Sequence, residues 1–487
     1  MSESTTAPSI HVDTATRSTR VIWLLLIATF VVILNETIMN VALRDIMLDL
    51  HIDARAGQWL TTVFMLTTAI VIPITGFLLQ RFNTRPIYIA AMTSFSLGTL
   101  LAAVAPNFEI LLLARVVQAC GTAIMLPLLM TTLMTLVPAA SRGKTMGNVS
   151  IVISVAPAIG PTISGVILST LTWRWMFWLV LPISVGMLLF GIWQMKNVTE
   201  PKRVPIDVFS VILSALGFGG LIYGLSLVGA GSEADAAATA ANSNLMMVIA
   251  LVVGVVSLLA FVLRQLALQR RDRALLDLRT FRSPIFCVAV IMMALATATL
   301  FGVIILIPIY LQQVLGVPPL ETGLLLLPGG LIMGLLAPIV GRLYDRFGPL
   351  PLTVPGSIIV SAGMWALTTV AATTSPVFVL AAHITLSVGL ALLLTPLFTA
   401  GLGAVKPSLY SHGSAIVGTV QQVAGAAGTA LFVTVMSVHA AALAGTSTAQ
   451  EAAAGGMKAA FFVGAVLSLF VIVAAFFIRK PADDLGA

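Results

Sequence analysis

The stretch GFLLQRFNTRP at residues 76–86 returns as GRLYDRFGPLP at 341–351. Each copy has Gly, then Leu two residues on, then Arg-Phe, and each closes a long apolar run. The copies lie 265 residues apart, and the apolar runs that open the two regions, at 21 and 284, lie 263 apart. Two six-span halves in parallel order follow from this repeat, and the stretch between 195 and 284 holds two further spans that belong to neither half. Parallel repeats related by an axis along the membrane normal place a binding site between them near mid-membrane.

The wider composition agrees with a membrane reading. Of 487 residues, 59% are hydrophobic and only 9% charged, and the mean hydropathy is +1.07, whereas a soluble domain carries about 25% charged residues. Apolar runs of about 20 residues cross a hydrocarbon core as helix. They also exclude a β-barrel, whose strands alternate in polarity. The expected fold class is an all-α integral membrane protein of fourteen transmembrane helices, two six-helix bundles plus two extra central helices. Its parts are an N-terminal tail (1–20), an N-terminal six-helix bundle (21–195), two extra helices with linkers (196–283), a C-terminal six-helix bundle (284–478) and a short tail (479–487). The small-residue stretches 229–244 and 441–456 read as outer loops or short hairpins. The run behind residue 20 reads as an uncleaved first span.

The net charge of +7 points to a membrane surface and not to nucleic acid, because the basic residues sit in alternate loops. Of the 25 Lys and Arg, Arg44, Arg55, Arg174 and Lys458 fall on one side, Arg115 falls inside a span, and the other twenty lie in the opposite loops and tails. This bias predicts that both termini are cytoplasmic. Cys120 and Cys287 both fall in spans, so no disulfide or metal framework is legible.

Polar residues inside the spans mark the chemistry. In VVILNETIMNVAL (31–43), Glu36, Thr37 and Asn40 share one helix face and Asn35 flanks it. An acid at mid-membrane costs a few kcal/mol unless it is protonated or faces a wet cavity. Glu36 therefore reads either as a group that takes a proton from one side and releases it to the other, or as a structural acid locking two helices. Arg115 is the one strong cation deep in a span, and Gln118 and Thr122 continue its face. It reads as an electrostatic partner of Glu36 or as a clamp on backbone carbonyls. Asn35, Asn40, Gln118, Tyr310, Gln313 and His383 are candidate substrate contacts, with packing as the alternative for each.

Conformational change has its own candidates. In SVAPAIGPTISG, Ala156, Gly160 and Ser164 have the spacing that allows close helix contact, and Pro157 and Pro161 bend the helix. Gly160 and Pro161 are read as a flexing seam between the halves, or as tight packing alone. At the repeated turns, Arg81, Arg85, Asp345 and Arg346 are candidates for a charge latch, and Gln80 stands where Asp345 stands in the second copy. RGKT at 142–145 lacks the glycine and the preceding strand of a phosphate-binding loop. No metal-ligand or nucleophile pattern appears.

These motifs together resemble the fourteen-span drug:proton antiporters of the major facilitator superfamily, most of all the lincomycin-resistance type. The family's first-span pattern L-D-x-T-x-x-N-V-A-L-P is met by Leu34, Thr37, Asn40, Val41, Ala42 and Leu43. Its loop pattern is met by Gly76, Leu78, Arg81 and Arg85, and again by Gly341, Leu343, Asp345, Arg346 and Gly348. Its R-x-x-Q is met by Arg115 and Gln118, and its G-P-x-x-G by Gly160, Pro161, Ser164 and Gly165. Asn35 stands where the family often has Asp, Gln80 replaces the loop Asp, and Arg44 replaces Pro. The resemblance implies a proton-driven exporter of amphipathic drug-like compounds in a bacterial inner membrane. Its partners are then a small-molecule substrate, protons and the lipid bilayer, and it works as a monomer with no cofactor beyond the proton gradient. Glu36 is the candidate replacement for the family's first-span acid. Export of an endogenous metabolite, amino acid or lipid, or a sensor without turnover, are the alternatives.

Overall fold

The computed structural model describes residues 10–198, 201, 205–230 and 237–480. Among them, fourteen helices are long and apolar enough to cross a membrane. They are α1 (Ile10–Asp49), α2 (Ala54–Arg81), α3 (Thr84–Ala103), α4 (Phe108–Leu136), α5 (Arg142–Thr170), α6 (Arg174–Gln194), α7 (Val208–Ala230) and α8 (Ala237–Leu268). The series continues with α9 (Pro284–Ile309), α10 (Pro319–Phe347), α11 (Leu350–Leu367), α12 (Pro376–Gly403), α13 (Tyr410–Leu443) and α14 (Ala449–Ala475). Their outer faces are apolar, with Trp193 77% and Leu335 70% exposed, as expected for side chains that meet hydrocarbon instead of water. The chain is therefore a multi-pass membrane protein.

The helices extend past the apolar runs. Residues 441–456, expected as a loop or hairpin, are mostly helix: α13 runs to Leu443, and α14 begins at Ala449 behind a capping box in which Thr448 and Glu451 bond reciprocally. Alanine has the highest intrinsic helix propensity, and the box satisfies two free backbone donors. In the other stretch, residues 231–236 lie outside the described set.

The repeat reappears as packing. Helices α1 and α5, α3 and α4, α3 and α6, and α2 and α4 pair in the first group, and α9 and α13, α11 and α12, α11 and α14, and α10 and α12 pair in the same way in the second. Two equivalent seams join the groups, α5 against α10 and α13 against α2. On the first seam glycines set the distance. A Cβ on Gly341 would fall 2.1 Å from the Gly143 carbonyl oxygen, one on Gly147 2.6 Å from that of Ala337, and one on Gly330 2.2 Å from the Ala158 Cβ. Such closeness brings two backbones into continuous dispersion contact. Nearby, Thr395 of α12 donates to Ser150 of α5 at 2.8 Å, both buried. Further along, Gly165 and Gly323 have nothing within 4 Å. The groups therefore touch at the end that holds the α4–α5 and α10–α11 turns, here termed the basic end, and part toward the opposite, outer end.

The two helices outside the repeat cover the second seam. Trp59 of α2 stacks on Tyr223 of α7 at 5.6 Å, and Ala69, Ile222 and Ala426 from α2, α7 and α13 form one buried cluster. At the basic end Arg264 of α8 grips Asp207 with two hydrogen bonds of 2.6 and 2.7 Å. Gln265, fully buried, donates to Ser210 and accepts from the Leu275 and Leu276 amides. The pair is thereby fixed to the linker that enters the second group. At the outer end Asp49 accepts from Arg174 at 2.7 Å and Trp173 at 3.0 Å, while Arg174 also donates to the Ala105 carbonyl. Three helix ends of the first group are tied by this one cluster.

Two outcomes test this packing. Gly341→Val should destabilise the protein by about 1–3 kcal/mol through overpacking, whereas Gly165→Val should leave its melting temperature unchanged, read by thermal unfolding of the purified protein. The Arg174 guanidinium, helped by the Trp173 indole, holds the Asp49 carboxyl below its usual range. A lowered carboxylate contributes stability that is complete above its unfolded-state pKa and lost as pH falls through the folded one. The melting-temperature gap between the wild type and Asp49→Asn should therefore stay constant from about pH 5 to 7 and shrink below about pH 4.

Candidate functional site

Helix α1 carries the acid, and its rotation separates two neighbours that are adjacent in sequence. Asn35 shares a face with Ala28, Met39, Ala42 and Ile46, every one of them buried. It points into the first group, and its amide nitrogen has no hydrogen-bond partner there. Glu36, one helical step round, is partly accessible. It shares a face with Ile22 and Thr29, which toward the basic end are only 7% and 1% exposed. The face thus opens toward the outer end, as the divergence of α5 and α10 requires. Glu36 lies sixteen residues, about 24 Å, from Arg20 and eight residues, about 12 Å, from Arg44 at 1.5 Å per residue. That places it in the outer third of the helix, a correction to the mid-membrane position expected from the apolar run. The side chain of Asn40 lies outside the described set.

The small residues of α5 hold α1 in this position. A Cβ on Gly160 would stand 2.4 Å from the Thr37 hydroxyl oxygen. Thr37 in turn donates to Leu34 at 2.9 Å, and Ser164 donates to the Ile38 carbonyl at 2.8 Å. Ala156, Gly160 and Ser164 therefore seat α1 beside Glu36 inside the first group and do not form the seam between groups. That seam uses other positions of α5, Gly143, Gly147, Val155 and Ala158, against Ala337, Gly330, Gly334 and Gly341 of α10. The four- and seven-residue glycine spacings at 143/147 and 330/334/341 were a legible signal for it. Pro161, beside Gly160, sits inside α5.

Arg115 is 1% exposed yet makes no ion pair with a carboxylate among the described residues. Its Nε faces the Leu60 carbonyl at 3.4 Å, one terminal nitrogen donates to Gln118 at 2.9 Å, and the guanidinium stacks on Phe64 at 4.0 Å. Gln118 passes the load on by donating to Thr99 of α3 at 3.0 Å. Arg115 and Glu36 interact electrostatically across the interior. Of the two readings of Arg115, its direct contacts are those of the clamp, which braces a carbonyl of α2.

The structure distributes the remaining candidates differently from the sequence. Gln118, fully buried and bonded on both sides, supports Arg115 and presents no group to a ligand. Tyr310, also fully buried, donates to the Ala371 carbonyl at 2.6 Å and opens a π-helical turn, Tyr310–Val314, that follows Pro308. Its hydroxyl is committed to a loop. Gln313, on the same turn, is exposed. His383 approaches the Leu326 carbonyl with Nε2 at 3.2 Å and packs on Gly329, while its Nδ1 has no partner.

Of the four latch candidates, Asp345 reaches across between the groups. Asp345 accepts from the Gly143 and Lys144 amides at 2.7 and 2.8 Å, so it caps the start of α5 from the other group instead of pairing with Arg342 and Arg346. The unsatisfied amides of a helix start favour a carboxylate. Arg346 is exposed beside Phe347, and Arg81 lies over Phe82. Arg85 donates to the Ile192 carbonyl at 2.7 Å, inside the first group. Gln80 donates to the Ser408 carbonyl at 3.0 Å.

Two pseudo-equivalent six-helix groups that meet at one end, part at the other and enclose a lone acid define a membrane transporter of the alternating-access kind. The chain belongs to the Major Facilitator Superfamily, whose family model matches residues 25–429. It is 42% identical over 461 residues to the uncharacterized MFS-type transporter YcnB of Bacillus subtilis, covering 95% of both chains. It is 38% identical over 467 residues to the lincomycin resistance protein LmrB of the same organism, covering 94% of this chain and 95% of that protein. The human organic anion transporter MFSD10 shares the fold with a TM-score of 0.65 at 14% identity, over 94% of this chain and 99% of the other.

Gln118→Ala strips Arg115 of its one side-chain acceptor and should destabilise the protein by about 1.5–3 kcal/mol, read by thermal unfolding. A wild-type melting temperature in this variant would show that Arg115 does not depend on Gln118.

Proposed function

We propose that the protein is a proton-coupled exporter of amphipathic drug-like compounds in the bacterial cytoplasmic membrane, working as a monomer with both termini inside. Glu36 carries the proposal: a single partly accessible acid, on the face of α1 that opens outward, within the field of a buried arginine. The likeness to a lincomycin resistance protein over nearly the whole chain supports the substrate class. The excess of basic residues at the end where the helix groups touch supports the orientation. A charged metabolite calls for several paired charges inside the spans, and among the described residues only Glu36 and Arg115 lie deep in a span.

In this cycle Glu36 faces the cytoplasm deprotonated and favours substrate binding between the two helix groups. Closure at the basic end, where Asp345 caps α5 and the α5 and α10 glycines meet, turns the site outward. Protonation of Glu36 from outside then weakens substrate binding, and release follows. Proton and drug bind with opposing preferences, and linkage makes the opposition reciprocal. Arg115 adjusts the acid from a fixed position, because Gln118, Leu60 and Phe64 hold it. His383, with an unpartnered ring nitrogen, and Gln313 and Asn40 remain the proposed substrate contacts, while Asn35 faces the interior of the first group. Gln118 and Tyr310, whose polar groups are bonded within the protein, are left out of this set.

The experiment uses everted vesicles with an acidic lumen, recording lumenal pH as lincosamides, dyes and quaternary amines are added. Compound-induced proton efflux is expected in the wild type and not in Glu36→Gln, whose neutral side chain should bind compound as weakly as the protonated acid does. Unchanged efflux in Glu36→Gln would remove this acid from the mechanism. If no compound moves protons through the wild type, the drug-export reading fails.

A further inference from the structure

The α5–α10 seam has a polar level within it. Gly147 meets Ala337 on the basic side of this level, and Gly330 meets Ala158 on its outer side. Between these contacts lies a recess of about 10 Å³, walled by Ser150 and Ser154 of α5, Met333 and Ala337 of α10, and Thr395 and Phe398 of α12. It spans the boundary between the two helix groups. Ser154 stands six residues of α5, about 9 Å, on the basic side of Gly160. The recess is therefore in the closed layer, below the level at which α5 seats α1 beside Glu36.

Three hydroxyls meet at this recess. Thr395, 0% exposed, donates to Ser150 at 2.8 Å, a bond that crosses from one helix group to the other and leaves the Ser150 hydrogen free to donate. Ser154 is 8% exposed, and its hydroxyl has no partner among the described residues. A hydroxyl donates once and accepts twice, so most of the bonding capacity on this wall is unused. Left unused in a buried place, it carries the full desolvation penalty. The volume is that of a single buried water, and three polar groups are the number such a water bonds.

We propose that this recess binds one water molecule, held by Ser154, Ser150 and Thr395, and that the hydroxyls and water together form the releasable contact of the closed basic end. With the end closed, the water satisfies Ser154 and joins α5 to α12. With the end open to the cytoplasm, the same hydroxyls meet bulk water and lose no hydrogen bond. An apolar contact at this level would have to expose its surface to water on opening, which the hydrophobic effect opposes. The polar level thus lets a seam built on glycine contact come apart. This inference concerns the gate and is independent of which compound is carried and of how Glu36 acts.

Two measurements on the full-length protein test it. A high-resolution density map of the state closed at the basic end should show a water bonded to Ser154 in the recess. Spin labels then read the separation of the groups, placed by Ala140→Cys and Lys406→Cys at exposed turns of the basic end, with Cys120→Ala and Cys287→Ala removing the native thiols. Thr395→Val strands the buried Ser150 and the water, and the ratio of open to closed distances should rise about tenfold. Thr395→Ser, which keeps the hydroxyl, should give the wild-type ratio. The triple variant Ser150→Ala, Ser154→Ala, Thr395→Val removes every partner together, and its ratio should fall below that of the wild type, a reversal that independent sites would not produce. A recess without water density, an unchanged ratio in Thr395→Val, or a triple variant at least as open as Thr395→Val would overturn the proposal.

Discussion

The α5–α10 approach governs the rest of the structure. Gly143 and Gly341 stand so close that a Cβ on Gly341 would lie 2.1 Å from the facing carbonyl oxygen. Helices in a membrane gain little from hiding apolar surface, because lipid is as apolar as leucine, so their association depends on backbone proximity and hydrogen bonds. Both are present at this seam, with the glycines supplying the first and Asp345 at the head of α5 the second. Once the basic end is closed in this way, the outer end parts, Glu36 becomes partly accessible, and Thr29 two turns below it is shut off.

The acid and the arginine are held by different means. Glu36 is placed by backbone packing, through Thr37 against Gly160 and Ile38 against Ser164. Arg115 is placed by a polar chain across α2, α4 and α3 that ends at Thr99. A buried guanidinium without a contacting carboxylate is costly unless its donors are satisfied, and the chain through Gln118 meets that demand. The cation is thus rigid, while the acid sits on a helix that borders the cleft.

The two seams are equivalent in topology and different in chemistry. At one, the protein's own carboxylate closes the helix start. At the other, a neutral glutamine donates to the Ser408 carbonyl, and two extra helices cover the membrane portion. The extra pair is firmly attached, through Trp59 and Tyr223 at one level and through the Arg264, Asp207, Ser210 and Gln265 network at another. Motion between the helix groups has to include it.

Span number, membrane class and the duplication were legible from the sequence, because apolar run length and repeated turn motifs are local properties of the chain. The unusual residues were legible too, since an acid or arginine in a span stands out without any structure. Which way each one points was not. Asn35 and Glu36 are adjacent, and only helix rotation against α5 sends one into the core and leaves the other at the cleft. Gln118 and Tyr310 looked like ligand contacts because their hydrogen-bonding partners, Thr99 and the Ala371 carbonyl, lie on other elements. Gly160 looked like a seam between halves, because small-residue spacing announces close packing and does not name the partner. The sequence by itself determined how often the chain crosses the membrane and which residues are out of place there. The tertiary structure decided what each of them faces, because a partner across a helix interface depends on rotation and register, which no local pattern encodes.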